Sequence, residues 1–430
     1  MILFAGRLYP ASEQPRLLDE LEDRINGALA RGRLSPETVV RAIDRLGNML
    51  RAGELNDLIE QSGLSGYMEK AREFASLLSR EYLVRKLNTE LGEGFFEPSE
   101  TPPACGLAGI KKMPLPLGTL FHISAGNMDA LPAYTVVEGL LTGNVNILKL
   151  PQADNGLTVA ALSKLIETEP SLAEYVYVFD TPSSDIAAMR RLSEMADGVV
   201  VWGGDAAVSA VRAMAPTGAK LIEWGHRLSF AYISGDWTKK KEELAALAAH
   251  IVSTEQLLCS SCQTIFIDTD SMAETEKFCR DFLPLLQSAR DAHPMTDIGA
   301  IAEMTLKNYT AELEVAISGA AGKEPYAGRM CRLTACEDSE LALSDMFGRV
   351  PVKRLPRERL MAVLRRKKGY LQTAGLLCDD SDRAELTERL IRCGVNRVTY
   401  AGNMSAVFAG ESHDGEYPLR RYVRIANAEM

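Results

Sequence analysis

Apolar positions recur along this chain with two different periods, and the switch between them sets out its parts. The first stretch is helical in rhythm. Leu17, Leu18, Leu21 and Ile25 form one apolar stripe, and Val39, Val40, Ile43, Leu46 and Leu50 form a second. Ser35-Pro36-Glu37 opens the second as a helix start, with Ser35 as cap and Pro36 in the first turn. Residues 1–95 therefore read mostly as helices. They carry no evident chemistry and are suited to cover one face of a later sheet or the mouth of a channel. From Glu97 to Pro116 the rhythm stops at Pro98, Pro102, Pro103, Pro114 and Pro116, which reads as a linker with an extended excursion.

After that the period alternates. Short β-rich runs at 118–124, 145–150, 175–179, 199–202 and 219–222 are separated by helical patterns at 131–141, 157–167, 186–195 and 206–214. Strands that alternate with helices predict a doubly wound, mostly parallel sheet, with ligands outside the carboxyl ends of its strands. A second α/β unit follows. Its strands are predicted at 230–233 and 264–267, with a helix carrying Leu244, Leu247, Ala248 and Ile251 between them. Further helices are predicted at 273–286, 298–316, 357–366 and 383–393, a loop and strand at 344–350, and a strand in the tail, 417–426.

Composition narrows the class. The chain has 430 residues, 46% hydrophobic and 25% charged, which fits a globular protein of two or three domains. A formal charge of -10 argues against nucleic acid as a partner. No apolar run reaches the ~20 residues of a membrane span, and the opening residues do not read as a secretion signal. The eight cysteines are irregularly spaced, which predicts reduced thiols and a cytoplasmic location. Cys259 and Cys262 form a C-x-x-C, but no second ligand pair has matching spacing, so no metal is expected. The Asn308 and Asn403 sequons read as chance matches.

Four places carry candidate chemistry. Cys259 stands between a helix and a strand among small polar residues, a position that can present a reactive thiol. Three predicted strand ends carry the others: Ser124-Ala-Gly-Asn127, Lys149, and Trp202-Gly203-Gly204-Asp205 opening a helix. Paired glycines there let backbone approach a phosphate at a helix N-terminus. Neither G-x-G-x-x-G nor a Walker A loop is present.

Taken in order, these pieces resemble the aldehyde dehydrogenase superfamily, and within it the fatty acyl reductase (LuxC-type) family. Gly126-Asn127 followed by Thr142-Gly-Asn-Val-Asn-Ile-Leu-Lys149 resembles the superfamily's asparagine loop and T-G-N-x-x-x-x-K element. Trp202-Gly-Gly-Asp205 resembles its cofactor-binding glycine turn, and Glu223-Trp-Gly-His-Arg its E-L-G-G-K element. Gln256-Leu-Leu-Cys-Ser-Ser resembles the nucleophile segment, Asp345-Met-Phe-Gly-Arg-Val the E-x-F-G-P-V element, and His413-Asp-Gly415 with Pro418-Leu419 an acyl reductase signature near the carboxyl terminus. The likeness covers residues 115–430. It departs from the pattern at Asp345, which is shorter than the usual glutamate, at Arg349, where proline is usual, at His226 and Arg227, and at Cys262, a rival nucleophile.

The resemblance implies an aldehyde dehydrogenase-like α/β fold: residues 1–99 and 116–225 as N-terminal helices plus a doubly wound dinucleotide-binding domain, 226–408 as an α/β catalytic thiol domain, and 100–115 with 409–430 as a small bridging arm. It assigns Cys259 as nucleophile, Asn127 with the Cys259 backbone N–H as oxyanion hole, and Glu223 as general base or proton relay. Lys149, Trp202, Gly203, Gly204, Asp345 and Phe347 become cofactor contacts. Gln152 is neutral where NAD-preferring relatives often carry a carboxylate, so NADPH is expected over NADH. The expected reaction is reduction of an acyl-CoA or acyl-carrier thioester to an aldehyde, by a homo-oligomer fed by an acyl-donating enzyme. The rival readings are a hydrolytic aldehyde dehydrogenase and a non-catalytic nucleotide- or CoA-binding scaffold.

Overall fold

The computed structural model describes residues 1–61, 74–101, 109–126, 131–152, 154–318 and 326–429. The chain divides into two units, Met1–Gly225 with Phe408–Met430, and His226–Val407. Strands of the first unit are β1 (Ile2–Phe4), β2 (Arg7–Tyr9), β3 (Ser99–Thr101), β4 (Ile110–Pro116), β5 (Thr119–Ile123), β6 (Val145–Lys149), β7 (Val176–Phe179), β8 (Gly198–Trp202) and β9 (Lys220–Trp224). The second unit holds β10 (Leu228–Ile233), β11 (Cys262–Ile267), β12 (Tyr326–Gly328), β13 (Cys331–Cys336), β14 (Arg349–Arg354), β15 (Leu371–Leu377) and β16 (Arg397–Tyr400), and β17 (Val423–Glu429) returns to the first.

The first unit is built on a sheet of order β2-β1-β7-β6-β5-β8-β9, in which β5 to β9 pair in parallel. Its central strands are buried on both faces, so β7 reads as an apolar run without alternation, and β6 buries Asn146 and Lys149 beside its apolar residues. The stripes predicted on the N-terminal helices, Gln14–Ala30 and Pro36–Ala52, pack into the same core as β1, β6 and β7. Pro36 opens its helix as expected, but the Ser35 side chain makes no capping bond. The β1–β2 hairpin was not legible as such. Three residues per strand give too short a pattern to separate from a helical one.

In the second unit the order is β12-β13-β14-β11-β10-β15-β16, parallel from β13 to β16. β15 lies beside the central β10 with all seven residues buried, yet periodicity does not reveal it. Its Thr-Ala-Gly core looks like a break. Small residues are needed there because a Cβ on Gly375 would come within 2.6 Å of the Met404 sulfur. The third sheet, β17-β4-β3, joins the tail to the proline-rich stretch, with Val423 opposite Pro116 and Glu429 opposite Ile110.

A buried charge cluster ties the tail to its unit. On helix Arg80–Leu91, Lys86 Nζ lies 2.5 Å from Glu90 Oε1, and it lies 3.0 Å from Glu138 Oε1 of helix Leu131–Leu141. Glu90 Oε2 accepts from the Leu419 backbone N–H at 2.9 Å. Burial opposes the Lys86 charge, but Glu138, Tyr134 and Glu90 outweigh it, and its pKa lies above the ordinary lysine value. Burial pushes the Glu90 carboxyl upward. Replacing Lys86 with Met strands two carboxylates, which costs about 3–5 kcal/mol of stability. Carboxyls with raised folded-state pKa values bind protons more readily folded than unfolded, so acid relieves the loss. Urea unfolding of Lys86→Met should show a smaller deficit at pH 5.5 than at pH 8; an equal or larger deficit in acid contradicts this.

Candidate functional site

The first unit gathers most of its candidate residues at one edge of its sheet. Register sets Ile123 level with Lys149 and Val201, and Val201 level with Glu223. From β5 the chain winds outward to β6 and β7, then crosses back to β8 and β9 on the other side. β5 and β8 therefore flank the topological switch point, the place where sheets of this kind bind ligands. Ser124 to Gly126 leave β5 here. Asn127 lies outside the described residues.

Lys149 is not a solvated strand end. It is 5% exposed, and burial depresses its ammonium below the ordinary lysine value against a partial opposing effect from Asp180. Among the described residues it makes no hydrogen bond or ion pair. Its aliphatic stem is packed away and its ammonium stands at the strand end, where a ligand oxygen could reach it. After β8, the Gly203 N–H donates to Trp224 O at 3.2 Å. Gly204 has open space where a Cβ would sit and leads into helix Asp205–Met214. The turn is thus clear for close approach by a ligand's phosphates.

Trp202 stacks on Trp224 with centroids 5.4 Å apart, and His413 packs against both rings at 5.1 and 5.0 Å. The buried Trp202 indole N–H has no hydrogen-bond partner among the described residues. Trp224 and the tail residue His413 were not among the expected site residues. The one signal for them was the His-Asp-Gly signature, whose place beside Trp202 only the fold reveals. Glu223 is half-buried and held in a bidentate ion pair by Arg212 of the preceding helix, Asp205–Met214, Nη2 to Oε2 at 2.5 Å. A charge after two apolar residues is thereby accounted for.

The second unit presents the thiol. Helix Lys241–Thr254 ends in two left-handed residues, Glu255 at φ 47° and Gln256 at φ 60°. The chain then turns through Leu258–Ser261, closed by Ser261 N–H to Leu258 O at 3.0 Å and Leu258 N–H to Ser261 Oγ at 3.1 Å. Cys259 rides on this turn with its side chain exposed, and its carbonyl accepts from Ser229 Oγ at 2.6 Å. Cys262 is different in kind. It is the first residue of β11, fully buried, and burial pushes its thiol up to about 12.

A second left-handed run faces this turn: Met346 at φ 62°, Phe347 at 52° and Gly348 at 81°. The Phe347 N–H donates to Glu255 O at 3.0 Å. The expected cofactor loop and the thiol turn therefore meet within one unit. Asp345 is 63% exposed on its side chain and pairs with Arg349 at 3.4 Å. Arg349, standing where proline is usual, is buried and also donates to Asn308. Arginine here fixes Asp345 from behind.

The fold is that of the aldehyde dehydrogenase class. Aldehyde dehydrogenase 21 of Physcomitrella patens, solved with the product succinate, superposes with a TM-score of 0.68 at 12% identity, over 96% of this chain and 90% of that one. The chain belongs to the family described as acyl-CoA reductase (LuxC), whose model matches residues 33–425. Among its relatives is a long-chain acyl-protein thioester reductase of Vibrio harveyi, 26% identical over 88% of this chain and 78% of the relative. Another, long-chain acyl-protein thioester reductase 2 of Photobacterium leiognathi, is 24% identical over 73% of this chain. The match spans 65% of that relative's length.

Exposure and burial separate the two adjacent thiols chemically, since the thiolate is what alkylates. Iodoacetamide at pH 7.5 should modify Cys259 at least ~10-fold faster than Cys262, read by peptide mass spectrometry. Faster labelling of Cys262 contradicts the assignment.

Proposed function

We propose that this chain reduces an acyl thioester to the aldehyde through an acyl-enzyme on Cys259. The observation that carries the reading is the exposed Cys259 thiol, on a turn bonded to the Asp345–Phe347 loop, in a member of the acyl-CoA reductase family. Family relatives named as acyl-protein thioester reductases support the substrate class.

In this reading the Cys259 thiolate attacks the thioester carbonyl, the carbon–sulfur bond of the donor breaks, and the acyl group rests on Cys259. Splitting one hard transfer into two easier ones is the gain of such covalent catalysis. Asn127 and the Cys259 N–H carry the carbonyl oxygen's developing charge; such a donor is typically worth ~100- to 1,000-fold in rate. One proton balances the departing thiolate, and Glu223 is the carboxyl assigned to relay it. Its ion pair with Arg212 is exposed on the arginine side, and surface pairs of this kind open at a cost of roughly 1 kcal/mol or less.

The group that fits the strand ends of the first unit is a nicotinamide dinucleotide, which when bound would supply hydride to the acyl carbon. Lys149 at its strand end, the open Gly204 position in the turn after β8 and the buried Trp202 indole N–H, without a partner among the described residues, are what support the fit. Lys149 would hold a ribose hydroxyl or adenosine phosphate, and Asp345 with Phe347 the nicotinamide ribose. Gln152, exposed and neutral, leaves room for a 2′-phosphate, so NADPH is assigned over NADH. The hydrolytic alternative needs Glu223 to activate water, and dependence of the reaction on CoA separates the two readings. Among the described residues no helix is long and apolar enough to cross a membrane. An acyl-donating partner enzyme and a homo-oligomer joined through the β17 sheet complete the proposal.

Full-length protein given acyl-CoA and NADPH should release aldehyde and CoA. Cys259→Ala should abolish this, while Cys262→Ala should keep it within about threefold, since its buried thiol takes no part. Activity surviving in Cys259→Ala sinks the reading. Lys149→Met should raise the KM for NADPH by roughly 10-fold with a smaller change in kcat, because it removes binding rather than chemistry. An unchanged KM removes Lys149 from the cofactor site.

A further inference from the structure

Two buried glutamines near the thiol have no part in the chemistry above, and their amides are used at both ends. Gln256 is 1% exposed. Its Nε2 donates to Cys262 O at 2.9 Å, and its Oε1 accepts from the Gly348 N–H at 2.9 Å. A carbonyl only accepts and an N–H only donates, so the amide has a single orientation. Gln263, on β11, repeats the pattern. Its Nε2 donates to the Gln256 carbonyl at 2.8 Å, and its Oε1 accepts from Ser344 N–H at 3.2 Å and Ser344 Oγ at 2.8 Å. Ser344 Oγ in turn accepts from Met346 N–H at 3.1 Å.

Together these bonds join three segments: the turn that carries Cys259, the start of β11, and the 344–348 loop. Both joined loops sit in left-handed conformations, at Glu255–Gln256 and Met346–Gly348. A non-glycine residue there costs of order 1–3 kcal/mol, so neither loop would hold this shape without its neighbours. Each loop is therefore held in place by its bonds to the other.

We propose that Gln256 and Gln263 are positioning residues that make the Cys259 turn and the Asp345–Phe347 loop one rigid piece, so that thiol placement and nucleotide binding are set together. This rests on the reading above, in which Cys259 is the nucleophile and the Asp345–Phe347 loop meets the nucleotide. A rigid piece of this kind explains why two strained loops face each other through side-chain amides. Flexible contacts would let the thiol and the nucleotide vary independently.

Gln256→Glu tests it through protonation. A neutral carboxyl has the amide's pattern: its O–H donates to Cys262 O and its C=O accepts from Gly348 N–H. An ionised carboxylate turns an oxygen against the Cys262 carbonyl and loses that bond. Burial raises the pKa of a carboxyl at this position. The charged and titratable groups around it are the Glu255–Arg290 pair, the Asp345–Arg349 pair, and the Cys259, Cys262 and Cys331 thiols. The Arg290 charge is neutralised by Glu255, bound at 2.6 and 2.7 Å.

The readouts on the full chain are aldehyde formation, the KM for NADPH and the iodoacetamide rate at Cys259, each as a ratio to wild type at the same pH. At pH 8.5, Gln256→Glu should lose at least ~10-fold in turnover, with the KM and the alkylation rate displaced together; at pH 6 all three should return to within about threefold. If circular dichroism shows this variant unfolded at pH 8.5, Gln263→Glu carries the same test, because its ionised form faces the Gln256 carbonyl. A folded variant that tracks wild type at both pH values, or is equally depressed at both, overturns the proposal. Cys259→Ala run alongside separates the failures: if it keeps activity, the nucleophile assignment has failed; if it is dead while the glutamate variants behave as wild type, only the coupling has.

Discussion

The ion pair between Arg290 and Glu255 is the constraint on which the thiol's presentation depends. Arg290 is 3% exposed and reaches from the middle of the second unit to grip both carboxylate oxygens of Glu255. Glu255 holds a left-handed conformation that a glutamate does not choose unaided. With that residue and Gln256 fixed, the chain leaves its helix at an angle that projects Cys259 outward and drops Cys262 into the first position of a buried strand. Two residues of chain thus separate an exposed thiol from a buried one. The sequence spells both as cysteine. The left-handed backbone just before Cys259, held by the Arg290–Glu255 pair, and the start of β11 at Cys262 set them apart.

The first unit solves a complementary problem with a parallel sheet. Parallel strands bring their carboxyl ends to one edge, and the reversal of winding at β5 opens that edge to a ligand. Lys149 sits there largely buried and without a side-chain partner among the described residues, while Trp202, Trp224 and His413 pack against one another after β8 and β9. The Lys86–Glu90–Glu138 cluster holds the tail that carries His413 by bonding the Leu419 backbone. A buried network thereby anchors the tail whose His413 packs on Trp202 and Trp224.

Much of this was legible from residue pattern alone, for identifiable reasons. The N-terminal helices announced themselves through one apolar stripe each, and β7 through the unbroken apolar run that burial on both faces demands. β15 did not, because close packing against Met404 required glycine and alanine where a strand signal needs bulk. Candidate residues at strand ends followed from motif order, but their partners did not. Arg212 lies eleven residues before Glu223 with nothing to mark the pairing, and the Gln256 and Gln263 bonds span 92 and 81 residues. Hydrogen bonds across such separations are properties of the fold. Asp345 and Arg349 looked like departures from a family pattern; buried together with Asn308, the arginine reads as a substitution that supports its neighbour.

The central claim is that Cys259 takes up the acyl group. Incubating the protein with a long-chain acyl-CoA in the absence of nucleotide, then quenching in acid, tests it without any turnover assay. Mass spectrometry should find one acyl group per chain, on the peptide containing Cys259 and removable by hydroxylamine. A protein that stays unmodified, or carries the acyl group on another residue, contradicts the account.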